Sequence, residues 1–250
     1  MNEEKLLEIG LNAGKLLLES GAEVFRVEDT MNRICLSFPG VEHAESFVAS
    51  TGIFLSVEID GQSFAKLCRV RNRAVNLECI EQINTLSRKL QVENYTLEQV
   101  EKELDDIKNK PRFSNILMIL SGAIGAGGFA WFFDGGIKEI LISFVIGLIV
   151  RCVILLLSMF NLNDFLKNLI SSSLIAYMAY IACKWIVRAN MNIIIISGIM
   201  LLIPGLALTN AIRDTMAGDY LSGLSRAMEA IILAAAIALG VAVVLSVVIV

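Results

Sequence analysis

The chain has 250 residues, 56% hydrophobic and 18% charged, with a mean hydropathy of +0.68 and a net charge of −4. That is too apolar for an ordinary soluble domain, and a pI near 5.2 gives no basic footprint, so nucleic acid is not an expected partner. The charge is unevenly spread: residues 1–112 hold 14 of the 21 Lys and Arg and 19 of the 25 Asp and Glu, leaving 7 and 6 for residues 113–250.

The distribution predicts a charged domain over 1–112 followed by a membrane domain over 113–250. In the first, Leu6, Ile9, Ala13, Leu16 and Leu17 recur at helical spacing, and residues 4–36 read as helical with a break near Ser20-Gly21. Pro39-Gly40 ends that region. Ile53, Leu55, Val57 and Ile59 alternate with Phe54, Ser56 and Glu58 at strand period, and Asp60-Gly61 predicts a hairpin into a return strand over 62–70. Residues 74–90 resume helical spacing, and Thr96 with Gln99 three residues later is a capping box for a last helix near 97–110. This part is therefore expected to be a small α+β domain.

Five apolar spans are expected beyond it, near 114–133, 137–160, 169–187, 193–212 and 227–250. The first is rich in small residues from Ser121 to Gly128, which let helices approach closely and point to packing inside a bundle or between copies. The fourth is short and broken by Pro204-Gly205, and interrupted spans are the best sequence pointer to a transport site. Lys108, Lys110 and Arg112 precede the first span and predict that the 1–112 domain lies in the cytoplasm, with the C-terminus outside after five crossings. Arg188 and the other loop charges vote weakly.

The joint between the fourth and fifth spans carries the densest chemistry of the membrane half: Thr209, Asn210, Arg213, Asp214, Asp219, Arg226 and Glu229. A charge at the centre of a membrane helix costs about 2.5–3.5 kcal/mol, so charges persist there when they pair or line a polar path. Arg151, near the middle of the second span, needs an anionic partner or a water-filled cavity on the same ground, with Asp214, Asp219 and Glu229 the available carboxylates. Arg213 and Arg151 suit a substrate carboxylate. Asp214, Asp219 and Glu229 suit an ammonium group or a coupling proton, and Thr209 and Asn210 add neutral hydrogen bonds. The bland alternative is a charged cytoplasmic loop, against which Met216, Tyr220, Leu221 and Leu224 are unusually apolar. In the first domain Glu19, Glu23 and Arg26, with Glu28 and Asp29, form a charged stretch that reads either as a solvated face or as a docking and gating surface.

Cys35, Cys68, Cys79, Cys152 and Cys183 have no metal or CxxC spacing, and no phosphate-binding loop GxxxxGK[ST] occurs, so neither a metal nor a nucleotide cofactor is expected. His43, between Glu42 and Glu45, reads as a surface-loop histidine.

Three stretches resemble the bacterial threonine/serine exporter family: Leu16 to Thr30, Thr51 to Val57, and Pro204 to Gly223. The resemblance runs along nearly the whole chain in order. It implies export of small hydroxy-amino acids, or of dicarboxylates such as succinate, linked to the proton-motive force. It also implies that two membrane halves are needed, of which this chain is the larger, so that a smaller membrane companion is encoded separately. The expectation is a subunit of an inner-membrane secondary exporter. A membrane-anchored regulatory protein or a hydrolase acting through 1–112 is the rival, although no nucleophile, base and orienting group can be read there.

Overall fold

The computed structural model describes residues 2–71, 74–111, 113–160, 162–186 and 189–248. Arg112 and Arg188, used above for orientation, lie outside the described residues. The chain forms two compact units. The first is Met1–Pro111 together with Leu206–Met228; the second is Arg112–Gly205 together with Glu229–Val250.

The first unit opens with α1 (Glu3–Glu19) and α2 (Val24–Leu36). The expected break is present: Gly21 takes φ +89°, a left-handed conformation that glycine adopts without strain. Three antiparallel strands follow in the order β1 (Val41–Ala49), β2 (Gly52–Ile59) and β3 (Gln62–Arg69). The turn at Asp60-Gly61 has positive φ at both residues, 51° and 71°, as a two-residue hairpin with the twist of its strands requires. β1 begins earlier than its hydrophobicity suggests, and His43 therefore lies in a strand opposite Glu58 rather than in a loop. Helices α3 (Leu77–Lys89) and α4 (Leu97–Asn109) complete the layer, the latter with the Thr96–Gln99 capping box formed in both directions. The core is the inner row Ile53, Leu55, Val57 and Ile59 of β2 against Leu6, Ile9, Leu17, Val27, Met31 and Ile34 of α1 and α2. To this unit belong α9 (Gly205–Ala217), from Leu206 onward, and the start of α10 (Tyr220–Val248), as far as Met228.

The second unit holds α5 (Asn115–Phe132), α6 (Ile137–Met159), α7 (Asp164–Trp185), α8 (Met191–Ile199) and the rest of α10. Among the described residues four helices are long and apolar enough to cross a membrane: α5, α6, α7 and α10. The fourth expected span is not one helix. It is α8, nine residues long, then a break at Ile203-Pro204, then α9. Small residues allow the tight packing of α5 on α6. A side chain on Gly147 would meet the Gly122 carbonyl oxygen at 2.6 Å and the Ala126 Cβ at 2.7 Å. The small residues of α5 thus pack within the unit. Gly125 in turn approaches Leu201, where an added Cβ would lie 3.1 Å from the Leu201 side chain.

Candidate functional site

The sequence around the α1–α2 turn dictates an exposed backbone. Glycine at 21 forces a left-handed kink, and the carbonyls before α2 and the first N–H of α2 have no helical partners of their own. The polar side chains of α9 and α10 fill those vacancies. Asn210 Nδ2 donates to the Gly21 carbonyl at 2.8 Å. Arg226 Nη2 donates to the Ala22 carbonyl at 2.7 Å. The Val24 N–H donates to Asp214 Oδ1 at 3.1 Å. Arg226 Nε lies 3.1 Å from Asp214 Oδ2, and both side chains are buried. Arg213 donates to the buried carboxylate of Glu23, which also has Arg26 at 3.7 Å. Ser50, at the β1–β2 hairpin, bonds Ser225 at 3.0 Å.

Local sequence explains why α9 and α10 can do this. Gly218, at φ +98°, turns the chain between them, and the Asp219 N–H closes the turn on the Asp214 carbonyl at 2.8 Å. Gly223 then lets α10 lie against α9. An added Cβ there would sit 2.2 Å from Thr215 Oγ1 and 2.9 Å from the Ala211 carbonyl. Asn210, Asp214 and Arg213 fall at i, i+4 and i+3, so one face of α9 presents them together.

Two carboxylates here are shifted. Burial pushes Asp214 up; the Val24 N–H and Arg226 pull against it, and Asp219 and Glu23 add to the rise. Burial also raises Glu28, opposed by the hydrogen bond from the Val48 N–H at 2.8 Å and reinforced by the charge of Asp219. Both groups resist ionisation, as buried acids near other acids do.

The residues singled out from the sequence separate into groups. Asn210, Arg213, Asp214 and Arg226 meet the α1–α2 turn with Glu23 and Arg26. Glu28 ties α2 to β1, and Asp29 pairs with Arg33 one turn later in its own helix. Glu19 contributes its backbone carbonyl to the Ala74 N–H at 2.7 Å. Pro204 forms the break, and Gly205 opens α9 with open space where a side chain would be. Thr209 is exposed and donates to the Leu206 carbonyl of its own helix at 3.1 Å. Glu229 starts the part of α10 that belongs to the second unit, and Arg151 is half-buried in α6, its stem against Gly122. Among the described residues no group of acids, cysteines or histidines has the arrangement of a metal site.

Sequence reasoning passed over Glu139. It is buried and accepts from the N–H of Asn190, the residue that caps α8, at 2.8 Å. The Gly135-Gly136 pair before it was the available signal: an added Cβ on Gly135 would lie 3.1 Å from the Glu139 Cβ. The hydroxyls of Ser143 and Ser171 are likewise buried in the second unit without a partner among the described residues.

The profile of a family described as "Putative threonine/serine exporter" matches residues 8–248. The chain belongs to the threonine/serine exporter family. It is 24% identical over 233 residues to a Klebsiella aerogenes protein named "Probable succinate transporter subunit YjjP", covering 90% of this chain and 87% of the other. It is 25% identical over 247 residues to the Escherichia coli K12 protein of the same name, covering 95% and 92%. It is 22% identical over 244 residues to the "Threonine/serine exporter" of Corynebacterium glutamicum, covering 94% of this chain but 50% of that one. No solved structure matches the chain. Family and composition together make this a membrane transport protein rather than an enzyme.

Proposed function

We propose that this chain is the larger subunit of an inner-membrane secondary exporter of small metabolites, threonine/serine-type amino acids or small dicarboxylates such as succinate. It acts with a smaller integral-membrane companion. The observation that carries the reading is the charged joint, where guanidinium and carboxylate groups of both signs converge on one turn in a chain otherwise poor in charge beyond residue 112. The companion is supported by two facts: the relatives matched over most of their length are called subunits, and the chain spans half of the Corynebacterium exporter.

Roles follow from exposure. Asp214 and Arg226 are buried and engaged with each other and with the turn, so they hold the joint. Arg213 is largely exposed and serves the substrate carboxylate. Asp219, half-buried beside them, serves an ammonium group or the coupling proton, with Glu229 the next carboxylate along α10. Arg151, Pro204, Gly205 and Thr209 belong to the pathway on the membrane side. The domain of residues 1–111 lies in the cytoplasm, on the strength of Lys108 and Lys110 before the first span.

Inside-out membrane vesicles from cells expressing the chain with its companion should accumulate labelled threonine or succinate. Arg213→Ala and Asp219→Asn should each cut that flux roughly ten- to a hundred-fold, the worth of one charged hydrogen bond. Wild-type rates in both variants would place the site elsewhere.

A further inference from the structure

Resting on that reading, we propose that Glu23 is a built-in competitor for the substrate carboxylate, which the arriving substrate displaces from Arg213 towards Arg26. The Glu23 carboxylate is shared between the two arginines. Oε1 accepts from Arg213 Nη1, and Oε2 lies 3.7 Å from Arg26 Nη1. Its side chain is 7% exposed, against 64% for Arg213 and 45% for Arg26. A buried acid thus stands between two cations that solvent can reach.

A guanidinium has five N–H donors in a planar fork, and Glu23 engages Arg213 through one nitrogen. The open side of Arg213 can therefore receive a second carboxylate. Two carboxylates on one guanidinium repel each other, and the repulsion is relieved if Glu23 leaves. Arg26 is the place for it to go, already near enough to pair. Among the described residues nothing else ties the Glu23 side chain down. Glu23 is the N-cap residue of α2 but makes no side-chain capping bond, so a rotation of the side chain leaves the helix start intact. The Val24 N–H beside it is held by Asp214 instead. In the empty protein Glu23 neutralises Arg213 and shields it from other anions. With substrate bound, the same acid rests on Arg26. Glu23 sets both the affinity and the carboxylate selectivity of the site.

The test is the concentration dependence of labelled threonine and labelled succinate uptake into inside-out vesicles holding the chain with its companion. Glu23→Gln keeps the size of the side chain and removes the competing charge. It should lower the half-saturating concentration about tenfold, a charged competitor having been lost. Arg26→Gln should raise it several-fold, because Glu23 is then left with Arg213 alone. A merely structural Glu23 gives a different pattern: half-saturation rises, or stays unchanged, in Glu23→Gln, and that outcome overturns the proposal. Arg26 is exposed, so Arg26→Gln is informative even where Glu23→Gln does not fold; an unchanged half-saturation there also overturns the proposal. Arg213→Ala separates the two levels of argument. If it transports at the wild-type rate, the reading of the joint as the substrate site fails. If it abolishes transport while Glu23→Gln and Arg26→Gln do not move in opposite directions, only the competitor fails.

Discussion

Asp214 is the residue on which the first unit turns. It is fully buried, its charge partner among the described residues is Arg226, and it holds the first N–H of α2. Removing Arg226 leaves a carboxylate buried without a counter-charge. Arg226→Met should therefore destabilise the first unit by about 3–5 kcal/mol, seen as a lower midpoint in thermal unfolding of the detergent-solubilised protein. The loss should shrink in acid, where Asp214 takes up a proton. The pH dependence of the wild type has a definite sign. The Asp214 carboxyl is raised in the folded protein, so the folded state binds the proton more tightly than the unfolded chain does. Its contribution is fully present below the ordinary carboxylate range and is lost as pH rises through the raised value. Asp214→Asn should flatten that part of the stability profile; an identical slope in the variant would assign the dependence to another group. The sequence marked Asp214, Arg213 and Arg226 because charge beside apolar segments is rare. It could not reveal that Asn210, Asp214 and Arg226 hold backbone groups of a turn 189 to 204 residues away, which carry no side-chain signature, nor that Arg213 pairs with Glu23 at the same turn.

Elements were legible wherever a local rule sets them. Gly21 breaks α1 from α2, Asp60-Gly61 closes the hairpin, and the capping box starts α4. Two misreadings have physical causes. β1 carries Glu42, His43 and Glu45 on an edge strand whose outer face meets solvent, so its first half lacks the apolar alternation that marks a strand. α7 begins at Asp164, capped by Asn163, five residues before the apolar run starts, because capping rather than hydropathy fixes a helix start. Close approach at glycine gives the test at this scale. Gly223→Val should force α9 from α10, because its branches would strike the Thr215 side chain and the Ala211 carbonyl. Gly147→Val should part α5 from α6 in the same way, whereas Gly128→Val projects into open space and should leave folding unchanged. Yield of monodisperse protein on size exclusion reads all three. Equal yields for Gly147→Val and Gly128→Val would contradict the packing described.

At the scale of the molecule, connectivity constrains topology. Residues 1–111 and 206–228 form one unit, so the chain between them must leave one side of the membrane and return to it. That needs an even number of crossings. On the proposed reading of five crossings, α5, α6 and α7 supply three and the segment of α8 the fourth, although nine helical residues reach only about 13 Å of a core about 30 Å thick. On that reading α10 ends on the far side. A single cysteine added at the C-terminus should react with an impermeant reagent from outside the cell, and one in the 1–111 domain should not. Labelling of both from the same side would refute this path. A crossing half the usual length has to be completed by irregular backbone, which is tolerated at membrane depth where it lines a cavity.

The discontinuous first unit also sets a timetable. Asn210, Asp214 and Arg226 leave the ribosome roughly 190 residues after the turn they hold, a delay of about 10–40 s at ordinary rates of synthesis. Throughout that interval the newborn domain has its sheet and helices but not its closing piece, and the carbonyls of Gly21 and Ala22 await partners. The closing piece arrives only after the intervening helices have been threaded through the translocon in the right number. A chain inserted with one crossing too few would deliver Leu206–Met228 to the wrong side of the bilayer, and its domain would stay open to proteases. Completion of the domain thus depends on completion of the membrane half.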